Sequence, residues 1–158
     1  MQLNFDNRGG ITRLYAIPTE DILRIRNNWG FGSVTPELNR RDRIIELPYY
    51  IGLGYQFNEE HTLTDNGHRY AVNINGIVPA HLMRADDIET LRHGKWMVLH
   101  QDARGRIRLS GTIQIPLVFT SKSGSGASAK ELNGDTFSFS AIEENASPDC
   151  YIPDIRQL

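Results

Sequence analysis

The chain has a single cysteine, Cys150, and so cannot close a disulfide within itself. That count fits synthesis in a reducing compartment. Asp149 and Tyr151 on either side supply no positive charge, so the thiol reads as buried and inert rather than reactive. Lysine is nearly missing: Lys95, Lys122 and Lys130 stand against fourteen arginines. Arginine is the cation suited to planar pairing with carboxylates at protein contacts, although lineage bias in codon use produces the same excess. Charge of one sign is missing too, since 17 basic and 19 acidic side chains leave −2. A nucleic-acid binder that works by electrostatics shows a basic excess instead. No window approaches the ~18 consecutive apolar residues of a membrane-crossing helix. Residues 1–10 have no charged start followed by an apolar stretch, which predicts no export by a signal peptide.

What remains is an ordinary folding composition. With 158 residues, 39% of them hydrophobic and 23% charged, the chain reads as one domain spanning 1–158 with its own core. Period-two alternation in short runs bounded by Gly, Pro, Asn and Asp predicts strands at 11–17, 21–26, 43–50, 69–75, 95–101, 106–119 with a break near Pro116, and 135–142. In the last run Phe137, Phe139 and Ala141 alternate with Thr136, Ser138 and Ser140, giving one core face and one polar face.

The turn sequence Asp102-Ala103-Arg104-Gly105 predicts a hairpin over 95–112. Met97 and Leu99 then share a face with Ile107 and Leu109, and Trp96 and Val98 lie with Arg106 and Arg108 on the other. That second face is covered by a neighbouring chain, or else arginine stems lie over an exposed tryptophan. One short helix is expected, with Asp86 as N-cap, Glu89 three residues on, an apolar stripe at Ile88 and Leu91, and Gly94 just past its end. The fold class is therefore mainly β: an antiparallel β-sandwich or barrel with one short helix and long loops at 27–41, 52–68 and 121–134. The last loop is Gly/Ser-rich and expected to be mobile. The first carries Trp29 and Phe31 on a glycine-rich backbone, as anchors for a partner's pocket or as a lid on the chain's own core.

Catalytic and cofactor signatures fail on context. Gly124-Ser125-Gly126-Ala127-Ser128-Ala129 fits G-x-G-x-x-A, but only three residues separate it from Asn133-Gly134 and the next strand, leaving no helix to receive a phosphate. The histidines show no metal-binding spacing. His61 and His68 flank Asp65 on an expected loop and read as solvated. The adjacent acids Glu59-Glu60, Asp86-Asp87 and Glu143-Glu144 point apart in a strand or loop and also read as solvated. The reading is a non-enzyme with no catalytic residue, metal or cofactor.

From Gly94 the chain runs through Gly105 in the turn, Arg108-Leu109-Ser110-Gly111-Thr112, Pro116-Leu117-Val118-Phe119, the Gly/Ser loop, Asn133-Gly134 and Phe137-Ser138-Phe139, closing before Pro148. This succession resembles the C-terminal half of structural proteins of tailed bacteriophages and prophages, particularly tail proteins from Bacteroides-like hosts. The resemblance implies a tail or tail-tube subunit whose sandwich or barrel stacks into rings through loop contacts. Trp29, Phe31, Trp96, Arg106, Arg108, Lys122 and Lys130 are then the interface candidates. Partners would be further copies and other virion proteins, with no membrane and with DNA only as passing cargo read without sequence recognition. The location would be the virion after synthesis in the host cytoplasm. The alternative is a monomeric β-rich module that binds a ligand or protein between the loops at 27–41 and 52–68.

Overall fold

The structure is a computed structural model that describes residues 10–48, 54–79, 82–124 and 134–152. Its first six strands are β1 (Ile11–Pro18), β2 (Ile22–Asn28), β3 (Ser33–Leu38), β4 (Ile45–Leu47), β5 (Gln56–Thr64) and β6 (Gly67–Pro79). Helix α1 (Ala85–His93) follows, then β7 (Trp96–Asp102), β8 (Ile107–Ser110), β9 (Val118–Gly124), β10 (Gly134–Glu143) and β11 (Asp149–Cys150). The larger sheet has the order β2-β3-β11-β8-β7-β1-β4 and the smaller β5-β6-β10-β9. Every pairing is antiparallel except β11 with β3. The architecture is the expected mainly-β, sandwich-like one; among the described residues there is a single α-helix and neither sheet closes into a barrel.

Two of the three expected long loops are in fact largely strand. Residues 27–41 contain β3, and 52–68 contain all of β5. The third begins as the end of β9 and returns at Gly134 into β10, while 125–133 lie outside the described residues. The expected strand at 43–50 shrinks to the three residues of β4, with 49 and 50 again outside the description.

The hairpin at the Asp102 turn forms as its sequence predicts. One Asp102 carboxylate oxygen accepts the backbone N–H groups of Arg104 at 2.8 Å and Arg106 at 2.9 Å, and Leu99 pairs with Leu109 across the strands. Met97, Leu99 and Leu109 join Tyr15, Ile17, Ile22, Val34 and Cys150 in one buried cluster on one face of the larger sheet. The other face of β7 is not turned towards a neighbour. Trp96 and Val98 enter a second cluster with Leu14, Val72, Ile74, Phe137 and Phe139, which fills the space between the two sheets. Strand β7 is thus buried on both faces, and the continuous apolar run Trp96-Met97-Val98-Leu99 is the signature of that position.

Helix α1 lies where it was expected but starts differently. Arg84, extended at φ −74° and ψ 140°, is the N-cap and makes no side-chain capping bond. Asp86 and Asp87 sit inside the first turn, where their charge favours the amino end of the helix dipole. Gly94 follows the helix at φ −96° and ψ 173°, so it is no left-handed cap. Its function is space: a Cβ there would stand 2.4 Å from the Trp96 ring. The indole tucks under the end of the helix and its Nε1–H donates to the Leu91 carbonyl at 2.9 Å.

Candidate assembly surface

Strands β2 and β3 run antiparallel from Ile22↔Leu38 to Asn28↔Ser33 and end in the four residues Trp29-Gly30-Phe31-Gly32. The base is braced by the Asn28 side-chain amide, which donates to Ser33 Oγ at 3.2 Å and to Thr35 Oγ1 at 3.0 Å, and by Phe31 N–H donating to the Asn28 carbonyl at 3.1 Å. Gly30 at φ +93° and Gly32 at φ +63° adopt left-handed conformations that alternate with the two aromatics. Trp29 is 88% exposed and Phe31 87% exposed. Neither folds back as a lid. The hairpin is a braced stalk with two bare rings at its tip.

Register connects the base of this hairpin to the arginines across the larger sheet. Asp149 of β11 pairs with Ser33 on one side and Arg108 on the other, so the row Asn28, Ser33, Asp149, Arg108, His100 crosses five strands. The Trp29 tip lies beyond this row on one side, and Arg106, two residues before Arg108, lies on the other, level with Tyr151. Arg106 grips Asp149 with two bonds, Nε to Oδ1 at 2.6 Å and a terminal nitrogen to Oδ2 at 3.2 Å. The ion pair raises the guanidinium's already high pKa. Arg108 Nε lies 3.8 Å from the same carboxylate, and its guanidinium sits 5.3 Å from the centre of the Phe57 ring. Both arginines therefore tie β11 and β5 to β8 within the protomer, and only Arg106 is about half exposed.

Trp96 is 2% exposed and belongs to the core, because α1 and the smaller sheet cover the face that sequence alone leaves open. Lys122 is exposed on β9, opposite Thr136 of β10. Lys130 lies outside the described residues. Of the interface candidates, the structure thus sets Trp29 and Phe31 together at the exposed hairpin tip, holds Arg106 and Arg108 on Asp149 away from that tip, and buries Trp96.

Sequence reasoning passed over a second group, at the crossing from β10 to β11. Continuing the alternation Phe137, Phe139, Ala141 one step further puts Glu143 on the inward face, and it is 4% exposed rather than solvated. Burial pushes its carboxyl up to about 7; the Gly111 N–H opposes this by bonding to it, and Glu59 adds like charge. Its Oε2 has no hydrogen-bond partner. Glu59 is occupied, accepting the Ser147 N–H at 2.7 Å. Ser147 Oγ lies 3.0 Å from Ser110 Oγ, which lies 3.0 Å from His100 Nε2. This line superficially resembles a serine–histidine pair. Ser110 is fully buried and His100 is 3% exposed, so the hydroxyl meets no solvent-facing space in which a substrate could approach it. Burial drives His100 down to about 3, holding the ring neutral as a structural hydrogen-bonding group.

The histidines expected on a loop stand on β5 and β6 instead. His61 Nε2 and His68 Nδ1 are 2.7 Å apart, beside Tyr70. Cys150 is buried, and burial pushes its thiol up to about 12, consistent with an unreactive role.

No protein-family model, curated protein or solved structure matches this chain. The local geometry therefore carries the functional argument.

Proposed function

We propose that this protein is a self-assembling structural subunit, of the tail or tail-tube kind that its C-terminal half resembles, and that the β2–β3 tip is its principal contact. The observation that carries this reading is the pair of large rings at 88% and 87% exposure on a stalk whose backbone is fully braced. Adjacent exposed aromatics on a pre-organised support lose little conformational freedom on docking, which is the arrangement of an interface hot spot. The receiving surface in this reading is on a second copy: a recess of about 840 Å³ bordered by Pro18, Asp42, Thr90 and Gly94, wide enough for an indole. Tip and recess are different patches, so the contact is heterologous and propagates into rings or tubes.

Light scattering across a concentration series, with negative-stain imaging of each fraction, tests the proposal. Wild-type mass is expected to grow with concentration into rings or tubes. Trp29→Ala is expected to weaken the contact by at least about tenfold, the cost of truncating a hot-spot aromatic, with Thr90→Trp producing the same loss by filling the recess. A strict monomer at every concentration, or assembly untouched by both variants, would overturn the assignment and favour the monomeric binding module.

A further inference from the structure

A second opening, about 650 Å³ in volume, lies against the larger sheet and is lined in part by the segment from Glu143 to Pro148 that leads from β10 to β11. Its floor is Met97 and Leu109, each 1% exposed, and its walls include Ile25, Val34 and Ile115. The volume falls in the range of small-molecule sites, and the apolar lining is interrupted by Asn27, Thr112, Gln114, Glu143, Glu144 and Asn145. Among these, Glu143 has a carboxylate oxygen that no group among the described residues satisfies.

The neighbourhood says what that oxygen lacks. Glu143 already accepts the Gly111 N–H, while Glu59 adds negative charge; Glu144 next in the chain is paired with Arg69 at 3.5 Å. A buried polar atom without a partner is costly, and a buried carboxylate far more so unless a cation meets it. An ammonium group would supply both the missing hydrogen bond and the missing positive charge. A neutral or anionic polar group would not supply that charge.

We infer that this opening is a binding site for an organic amine, an ammonium on an apolar stem, with Glu143 as counter-charge and the aliphatic walls holding the stem. The inference is independent of the assembly reading, since neither Trp29 nor the recess at Gly94 contributes to this site. The ammonium can belong to a free small molecule or to a lysine side chain of a second copy; the chemistry at Glu143 is the same.

The test compares 4-phenylbutylamine, protonated at pH 7, with 4-phenylbutanol, its neutral counterpart, by calorimetry and by amide shifts in NMR spectra of the whole chain. The amine is expected to bind about tenfold or more tightly than the alcohol, the advantage of a charge-assisted over a neutral hydrogen bond. Amide shifts should centre on Gly111 and Glu143. Glu143→Gln should bring the two affinities within about twofold by lowering that of the amine. Ile113→Trp, at the partly exposed mouth, should abolish binding of both while leaving the carboxyl in place. Release of assembled protein to monomer by the amine identifies the natural occupant as a lysine; binding with no change of mass identifies a free amine. Equal affinities in the wild type, an amine preference that survives Glu143→Gln, or shifts centred elsewhere would overturn the inference.

Discussion

Replacing Trp96 with alanine is expected to lower the unfolding free energy by about 3–5 kcal/mol, the range for truncating a large aromatic in a packed core. The side chain is 2% exposed, it joins the cluster between the sheets, and its backbone bonds to Leu117 on the way to β9. Helix α1 on one side and the strands of the smaller sheet on the other bound the space it fills, so the surroundings collapse into it only in part. The matching test is Gly94→Ala, where backbone freedom is not at issue because φ is an ordinary −96°. The added methyl would meet the indole at 2.4 to 2.8 Å over three ring atoms. Either the ring or the end of the helix must shift, at a cost of about 1–3 kcal/mol for overpacking. Trp29→Ala is the control and is expected within about 0.5 kcal/mol of wild type, as for surface changes. Urea unfolding of the variants separates these cases, and fluorescence assigns them: Trp29→Ala should remove the solvent-exposed emission and Trp96→Ala the buried one. A loss below about 1 kcal/mol for Trp96→Ala would mean that the helix does not seal the core there.

The contrast between the two tryptophans also shows what was legible in the chain before folding. The 95–112 hairpin was readable because Asp102 and Gly105 punctuate two alternating runs, and its register follows from them. Which of its faces another element would cover was not. The answer depends on β6 and β10, far along the chain, arriving opposite Trp96 and Val98. Strand β3 was hidden by Pro36, which argues against a strand; it is accommodated because β11 pairs only with Ser33 and Val34, so no ladder runs past the proline on that side. Strand β5 was hidden for the opposite reason. As the edge of its sheet it is mostly exposed, so Glu59 to Thr64 show no hydrophobic alternation to detect. Its pairing with β6 comes instead from a tight turn at Asp65-Asn66 between Thr64 and Gly67.

The candidate surfaces divide in the same way. Exposure of Trp29 and Phe31 was one of two readings of a glycine-rich aromatic loop, and the choice rests on Asn28, Ser33 and Thr35 locking the base into a hairpin. Arg106 and Arg108 were read as interface residues, yet their partner Asp149 is some forty residues away and only the antiparallel β11–β8 pairing brings it to them. Glu143 was within reach of sequence reasoning, since the period of two that places Phe137 and Phe139 inward places Glu143 inward as well. The adjacency of Glu144 disguised it as part of a solvated pair. Local acid pairs are poor guides in a strand, where neighbours face opposite environments.

Glu143→Gln is expected to change the shape of the stability profile with pH. In the folded wild type Glu143 titrates near 7, raised by burial, whereas its ordinary value is 4.5. Between those values the folded state holds a proton that the unfolded state has released, so this group's contribution falls as pH rises, by about 3 kcal/mol in all. His100 acts with the opposite sign. Burial lowers it from 6.5 to about 3, with Arg108 adding to the depression and Asp102 opposing it. Over that interval the unfolded chain binds the extra proton, so stability rises with pH, by about 5 kcal/mol in all. From pH 4.5 to 6.5 both groups are between their folded and unfolded values, the proton counts balance, and the two slopes cancel. The wild type should therefore show a plateau there, with loss of stability below it from His100. Removing the carboxyl uncovers the histidine: Glu143→Gln should gain about 3 kcal/mol across pH 4.5 to 6.5 and remain flat above. The exposed carboxylates Glu37 and Asp42, whose values are lowered by Arg24 and Arg40, lose their pairs only below that window. Urea midpoints at half-unit pH intervals decide the matter. A variant that keeps the wild-type plateau would show that Glu143 carries its charge at no cost, and a variant still flat towards pH 4.5 would show that His100 is protonated in the folded chain.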